Sequence, residues 1–104
     1  LAHIVYRCLV SAVDVVLLDD CLAAVDMHVA RAIVEEAVLG SLLDGRRSVV
    51  MVMNSNFVAL QAAHRVVSVQ PDGRTALHES VDAWLEASGA EVRDMVSQTR
   101  VPDL

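Results

Sequence analysis

The sequence contains no lysine; all eight of its basic residues are arginine. That absence excludes a phosphate-binding P-loop lysine within the chain. It equally excludes a Schiff-base lysine and the lysine that a receiver-type acidic site would need. There is no basic block either. Seven acids and four arginines fall in residues 1–52, and the same numbers in 53–104, with a net charge of −6. A protein that holds nucleic acid by its phosphate backbone is therefore not expected. Long apolar runs are missing as well. The apolar opening is interrupted by Arg7 and Asp14, so nothing reaches the ~20 residues of a membrane-spanning helix, and Arg7 argues against a secretory signal. No internal repeat or low-complexity segment is present. Cysteine is scarce. Cys8 and Cys21 lie in unlike contexts and read as free buried thiols of a reducing compartment.

What is present is apolar. Hydrophobic residues make up 55% of 104 residues, against 21% charged, too apolar for a disordered chain. The length fits one domain or part of a larger one, burying roughly 65% of its unfolded surface. The chain opens on Leu1 rather than Met, as expected of a processed, trimmed or partial polypeptide.

Residues 1–10 carry Leu1, Ile4, Val5 and Cys8 at helical spacing and predict the end of a helix. The run Val15-Val16-Leu17-Leu18 ends in Asp19-Asp20. Its β-branched content without alternation predicts a buried parallel strand. Asp26 is a candidate N-cap for a helix over 27–43. Its apolar stripe is Ala30, Ile33, Val34, Ala37 and Val38, and its polar face His28, Arg31 and Glu35. Asp44-Gly45 should end that helix. Residues 48–53 predict a second buried strand, 57–63 a short helix and 65–69 a third strand. Pro71-Asp72-Gly73 predicts a turn, with 74–77 as a possible hairpin return. Amphipathic helices are expected over 79–87, with Trp84 as a docking anchor, and over 91–98. The β-α-β-α-β order predicts an α/β fold: a parallel sheet flanked by helices. Ligands of such sheets gather at the carboxyl ends of the strands, where Asp19-Asp20 and Asn54-Ser55-Asn56 would sit.

Two carboxylates closing an apolar strand need compensation, from a divalent cation, a helix N-terminus or water. A hard Mg²⁺ takes carboxylate oxygens, often through water and beside substrate phosphates. The second acid can then orient or deprotonate an attacking water. The plainer alternative is a solvated strand-end turn. His3, His28, His64 and His78 show no metal-site spacing, and Ser55 lacks a nucleophile elbow. Met51 and Met53 read as strand packing, and Arg46-Arg47 as a solvated turn. Asp82, Glu86 and Arg93 read as an ordinary polar helix face.

The run Val15-Val16-Leu17-Leu18-Asp19-Asp20-Cys21-Leu22-Ala23-Ala24-Val25-Asp26 resembles a segment of ABC transporter ATPase domains. There an apolar strand leads into Leu-Leu-Asp-Asp-Pro-Leu-Ser-Ala-Val-Asp. The second Asp, and His28-Val29 after it, resemble the first nucleotide-binding domain of the multidrug-resistance-associated, or C, subfamily. Leu1-Ala2-His3-Ile4-Val5-Tyr6-Arg7 is similar to the stretch that follows that family's signature motif. Gly45-Arg46-Arg47-Ser48-Val49-Val50-Met51-Val52 is similar to the strand leading to its switch histidine, and Ala63-His64-Arg65-Val66-Val67-Ser68-Val69-Gln70-Pro71-Asp72-Gly73-Arg74 resembles the family's Ala-Asp-Arg-Ile-Ile-Val-Leu, two residues, then Gly-Arg. The resemblance covers residues 1–78, with 79–104 as a helical extension.

The resemblance implies a partial P-loop NTPase-type fold, the C-terminal half of a nucleotide-binding domain with ATP and Mg²⁺ as cofactors. Asp19 would be the acid that holds Mg²⁺ through water. Asp20 would stand where the catalytic carboxylate polarises water, and Asp26 would be the D-loop acid facing a nucleotide-sandwich dimer. The implied partners are a second nucleotide-binding domain and transmembrane domains, at the cytoplasmic face of a membrane. The departures are specific. Cys21 replaces a Pro and Ala23 a Ser, the Tyr6–Asp14 spacing is longer than usual, and Ser55 stands at the switch-histidine position. The P-loop, Q-loop and signature motif would lie before Leu1, so this chain alone is expected to bind ATP weakly or not at all. Two alternatives stay open: a degenerate, non-catalytic interaction module, and an independent Mg²⁺-binding α/β domain.

Overall fold

The computed structural model describes residues 2–10, 12–42, 47–54 and 56–99. Helix α1 (Ala2–Val10) turns Cys8 inward, 3% exposed, with Ile4 and Val5 packed beside it. Strand β1 (Val15–Asp19) pairs in parallel with β2 (Ser48–Val52), Leu17 opposite Val50 and Asp19 opposite Val52. The pairing is extended at both ends: Ser48 N–H donates to the Asp14 carbonyl at 2.8 Å, and Asp20 N–H to that of Val52 at 2.9 Å. The parallel pairing matches the expectation. Burial on both faces does not: Val16 and Leu18 are buried, whereas Leu17 is 71% exposed and Val15, Val50 and Val52 more than half exposed. Helices cover one face only, so an unbroken apolar run has one buried and one open side.

The crossover between these strands starts where the sequence places it. The Asp26 carboxylate accepts from the amides of His28 (2.8 Å) and Val29 (3.1 Å) and caps helix α2 (Met27–Ala32). The chain then continues as a π-helix, Ile33–Leu42. Its inward residues Ala30, Val34, Val38 and Leu42 recur every four positions and are all buried. A four-residue step overshoots one α-turn and falls short of one π-turn. Changing helix type partway cancels the drift and keeps all four on one line. The expected terminator Asp44-Gly45 lies outside the described residues. A 3₁₀ helix (Val58–Ala62) follows β2 and buries Val58, Ala59 and Leu60.

The core has two clusters. One holds Leu22, Ala30, Val34, Val58 and Ala59, the other Cys8, Val16, Leu18, Val38 and Leu42; Cys21 and Met51 pack against both. Arg47, read as part of a solvated turn, is instead half-buried. Its guanidinium donates to the carbonyl of Val13 at 3.2 Å and to that of Cys8. A long planar donor reaches both carbonyls.

The expected third parallel strand is a correction. Strand β3 (Val66–Val69) does not join β1 and β2; it pairs antiparallel with β4 (Thr75–His78) in a separate hairpin. A short turn brings β4 to β3 locally, with Gly73 at φ 90 and Asp72 accepting from the Arg74 amide, so pairing there closes only a small loop. Helix α3 (Val81–Ala87), capped by Ser80 accepting from the Ala83 amide at 3.0 Å, packs on this hairpin. Val81, Trp84 and Leu85 are half-buried on it. Helix α4 (Ala90–Gln98) follows and buries no residue fully. The architecture is mixed α/β, with a small two-stranded parallel sheet and helices.

Candidate functional site

The parallel register brings the carboxyl ends of β1 and β2 together. Asp19 is the last residue of β1, exposed and level with Val52. Asp20 follows, half-buried, with φ at 52, in the left-handed region. A non-glycine residue occupies that region rarely, Asp and Asn more readily than most. Here the conformation turns the chain sharply off the sheet. The Asp20 amide is tied back to Val52, and its carbonyl accepts from Ala23 N–H at 3.2 Å. Asp19 and Asp20 thus stand on the rim where parallel sheets place their ligands.

The other expected residues distribute differently. Asp26 is exposed, and one of its carboxylate oxygens is engaged by two helix amides. Ser55 lies outside the described residues. His3, His28 and His64 are exposed, and His78 Nε2 lies 3.0 Å from Ser68 Oγ across the hairpin. Among the described residues no group of three or more His, Cys, Asp or Glu side chains could hold a metal ion. The acid pair alone is a partial, all-oxygen ligand set. That suits a hard cation bringing its own water and phosphate ligands, and does not suit a closed protein cage.

Two neighbours complete the rim. The Cys21 thiol is pushed above its ordinary value of 9.0, first by burial and also by the charge of Asp20, against a backbone hydrogen bond that lowers it. It is a packing residue rather than a nucleophile at neutral pH. Asn56 donates from Nδ2 to the Leu22 carbonyl at 3.2 Å and accepts at Oδ1 from the Val58 amide at 3.1 Å. The sequence places Asn56 at this strand end within Asn54-Ser55-Asn56 but gives its side chain no role. Its bond to Val58 is local and of a kind that Asn shows widely, while its bond to Leu22 depends on the parallel pairing. An open apolar groove of about 660 Å³ lies elsewhere, between α1 and the α2–π-helix segment, lined by Ala2, Val5, His28, Val29, Ile33 and Glu36 among others.

No family model, curated protein or solved structure matches the chain. Among the described residues no helix is long and apolar enough to cross a membrane.

Proposed function

We propose that this chain is the C-terminal half of an ABC-type nucleotide-binding domain, of the C-subfamily kind, that serves ATP-driven transport in an intact parent. The observation that carries the reading is the pair Asp19-Asp20 at the carboxyl end of a parallel strand whose neighbour ends beside it. It is joined to the sequence resemblance around that pair. The open apolar face of β1 and β2 supports it too, because parallel sheets are covered on both faces and further strands and helices of a parent domain would cover this one.

In this reading Asp19 would be the residue that holds Mg²⁺. Bound Mg²⁺ supplies charge neutralisation at the triphosphate. Asp20 accepts a hydrogen bond from the attacking water and holds it in line. Its backbone, fixed at both N–H and C=O, limits how far the carboxylate can wander. Asp26 contributes its exposed edge to the partner domain while capping α2. Ser55, at the switch position, offers a short hydroxyl hydrogen bond in place of an imidazole. This chain supplies no P-loop lysine, so in this reading that contact to the phosphates comes from the parent domain.

The test is phosphate release from MgATP by the longest natural polypeptide that includes this chain, compared with Asp20→Asn. Loss of a general base is expected to cost roughly 10²–10⁴-fold. Equal, near-zero rates in both would overturn turnover. They would favour the second reading, a non-catalytic interaction module of the same architecture, to which Ser55 at the switch position and the motifs missing from this chain also point.

A further inference from the structure

Asn56 spends both ends of its amide, and the two bonds do different things. The bond to the Val58 amide reaches two residues along and opens the 3₁₀ helix. The bond to the Leu22 carbonyl spans 34 residues and joins the loop after β2 to the turn after β1. Leu22 is 2% exposed, so its carbonyl needs a partner from the protein. Its other contact, from the Val25 amide, is long at 3.5 Å. The clamp lands two residues beyond Asp20, whose left-handed backbone persists only where its surroundings hold it there. The other two restraints on Asp20 are main-chain bonds, to Val52 and from Ala23, open to almost any side chain. Among the described residues, Asn56 adds a side-chain bond to them. Only a carboxamide offers donor and acceptor together at this reach; Asp keeps the acceptor alone and Ala neither.

We propose that Asn56 is a positioning residue that fixes the Asp20 carboxylate by clamping the turn behind it to the loop after β2. Its use in catalysis rests on the function proposed above, whereas the clamp does not. The experiment compares the full chain with Asn56→Asp and Asn56→Ala by amide hydrogen exchange and carbon chemical shifts. In both variants the Ala23 amide should exchange roughly three- to tenfold faster, and Asp20 should lose the shifts of a left-handed residue. The β1–β2 ladder amides should keep their protection. The Val58 amide should stay protected in Asn56→Asp and not in Asn56→Ala. Unchanged Ala23 exchange and Asp20 shifts in both variants would overturn the proposal. Equal loss of protection throughout the ladder would overturn it too, by making Asn56 a general stability residue. In the longest natural polypeptide, Asn56→Asp should lower kcat for MgATP with KM unchanged. Failure of the unsubstituted polypeptide to release phosphate would count against the proposed function alone, and exchange would still decide the clamp.

Discussion

Asp26 and Arg47 show how single polar side chains hold this fold. The Asp26 carboxylate satisfies two amides that helix α2 would otherwise leave open. Asp26→Ala should cost about 0.5–2 kcal/mol in chemical denaturation, and Asp26→Asn much less, because either Asn or Asp can cap. Arg47 bridges the carbonyls of Cys8 and Val13. Truncation to Ala would remove both part-buried bonds, at about 1–3 kcal/mol. Lys at this position would recover only part, since a point charge does not span two carbonyls as a guanidinium does. Cys21 gives a pH dependence whose sign is fixed. Its folded pKa lies above the ordinary thiol value, so the folded state holds the proton longer. Stability from this group is complete below pH 9.0 and falls as pH rises from there through the folded value. Cys21→Ala should flatten that alkaline fall, and alkylation of Cys21 near neutral pH should be slower than that of a free cysteine peptide. A rate equal to the free peptide's would contradict the burial.

At the scale of elements, the α-to-π switch at Ile33 is the feature on which the core depends. It keeps Val34 in the cluster with Leu22 and Val58, and Val38 and Leu42 against α1 and β1, despite a four-residue spacing. Leu42 is fully buried, and Leu42→Ala should cost about 2–5 kcal/mol, read from the shift in denaturation midpoint at unchanged slope. The hairpin with α3 forms a second element group. Its ion pairs, Arg65 with Glu79 and Arg74 with Asp72, are exposed and contribute little. Its packing comes from Val81, Trp84 and Leu85 on α3. The capping of α2, the strands and the 71–73 turn were all legible from the sequence, because each is set by residues close in the chain. The π stretch was not. Nothing in the local pattern separates it from an α-helix until the inward stripe must meet a particular neighbour.

For the whole molecule, the consequential feature is exposed apolar surface. Val15, Leu17, Val50 and Val52 open one face of the parallel pair, and Val67, Val69 and Leu77 open the outer face of the hairpin. The two-stranded sheets also leave strand edges, which pair readily with other chains. The isolated chain should therefore self-associate as its concentration rises, as seen by sedimentation. The double substitution Leu17→Thr with Val50→Thr should reduce this while changing stability by no more than about 0.5 kcal/mol per site. A monodisperse monomer at every concentration would contradict the expectation.

The sequence by itself determined that Asp19 and Asp20 end an apolar strand, that Asp26 opens a helix, and that β1 and β2 are joined by a crossover long enough to run parallel. Those outcomes follow from propensity, capping and hydrophobic runs, which act over a few residues. Tertiary structure decided which strands share a sheet, which face of β1 is covered, and that Arg47 and Asn56 reach across 34 residues or more to bond Val13, Cys8 and Leu22. It also set Asp20 in the left-handed region. Such contacts depend on where the chain returns to itself, and a partner distant in sequence leaves no mark on the residues beside it.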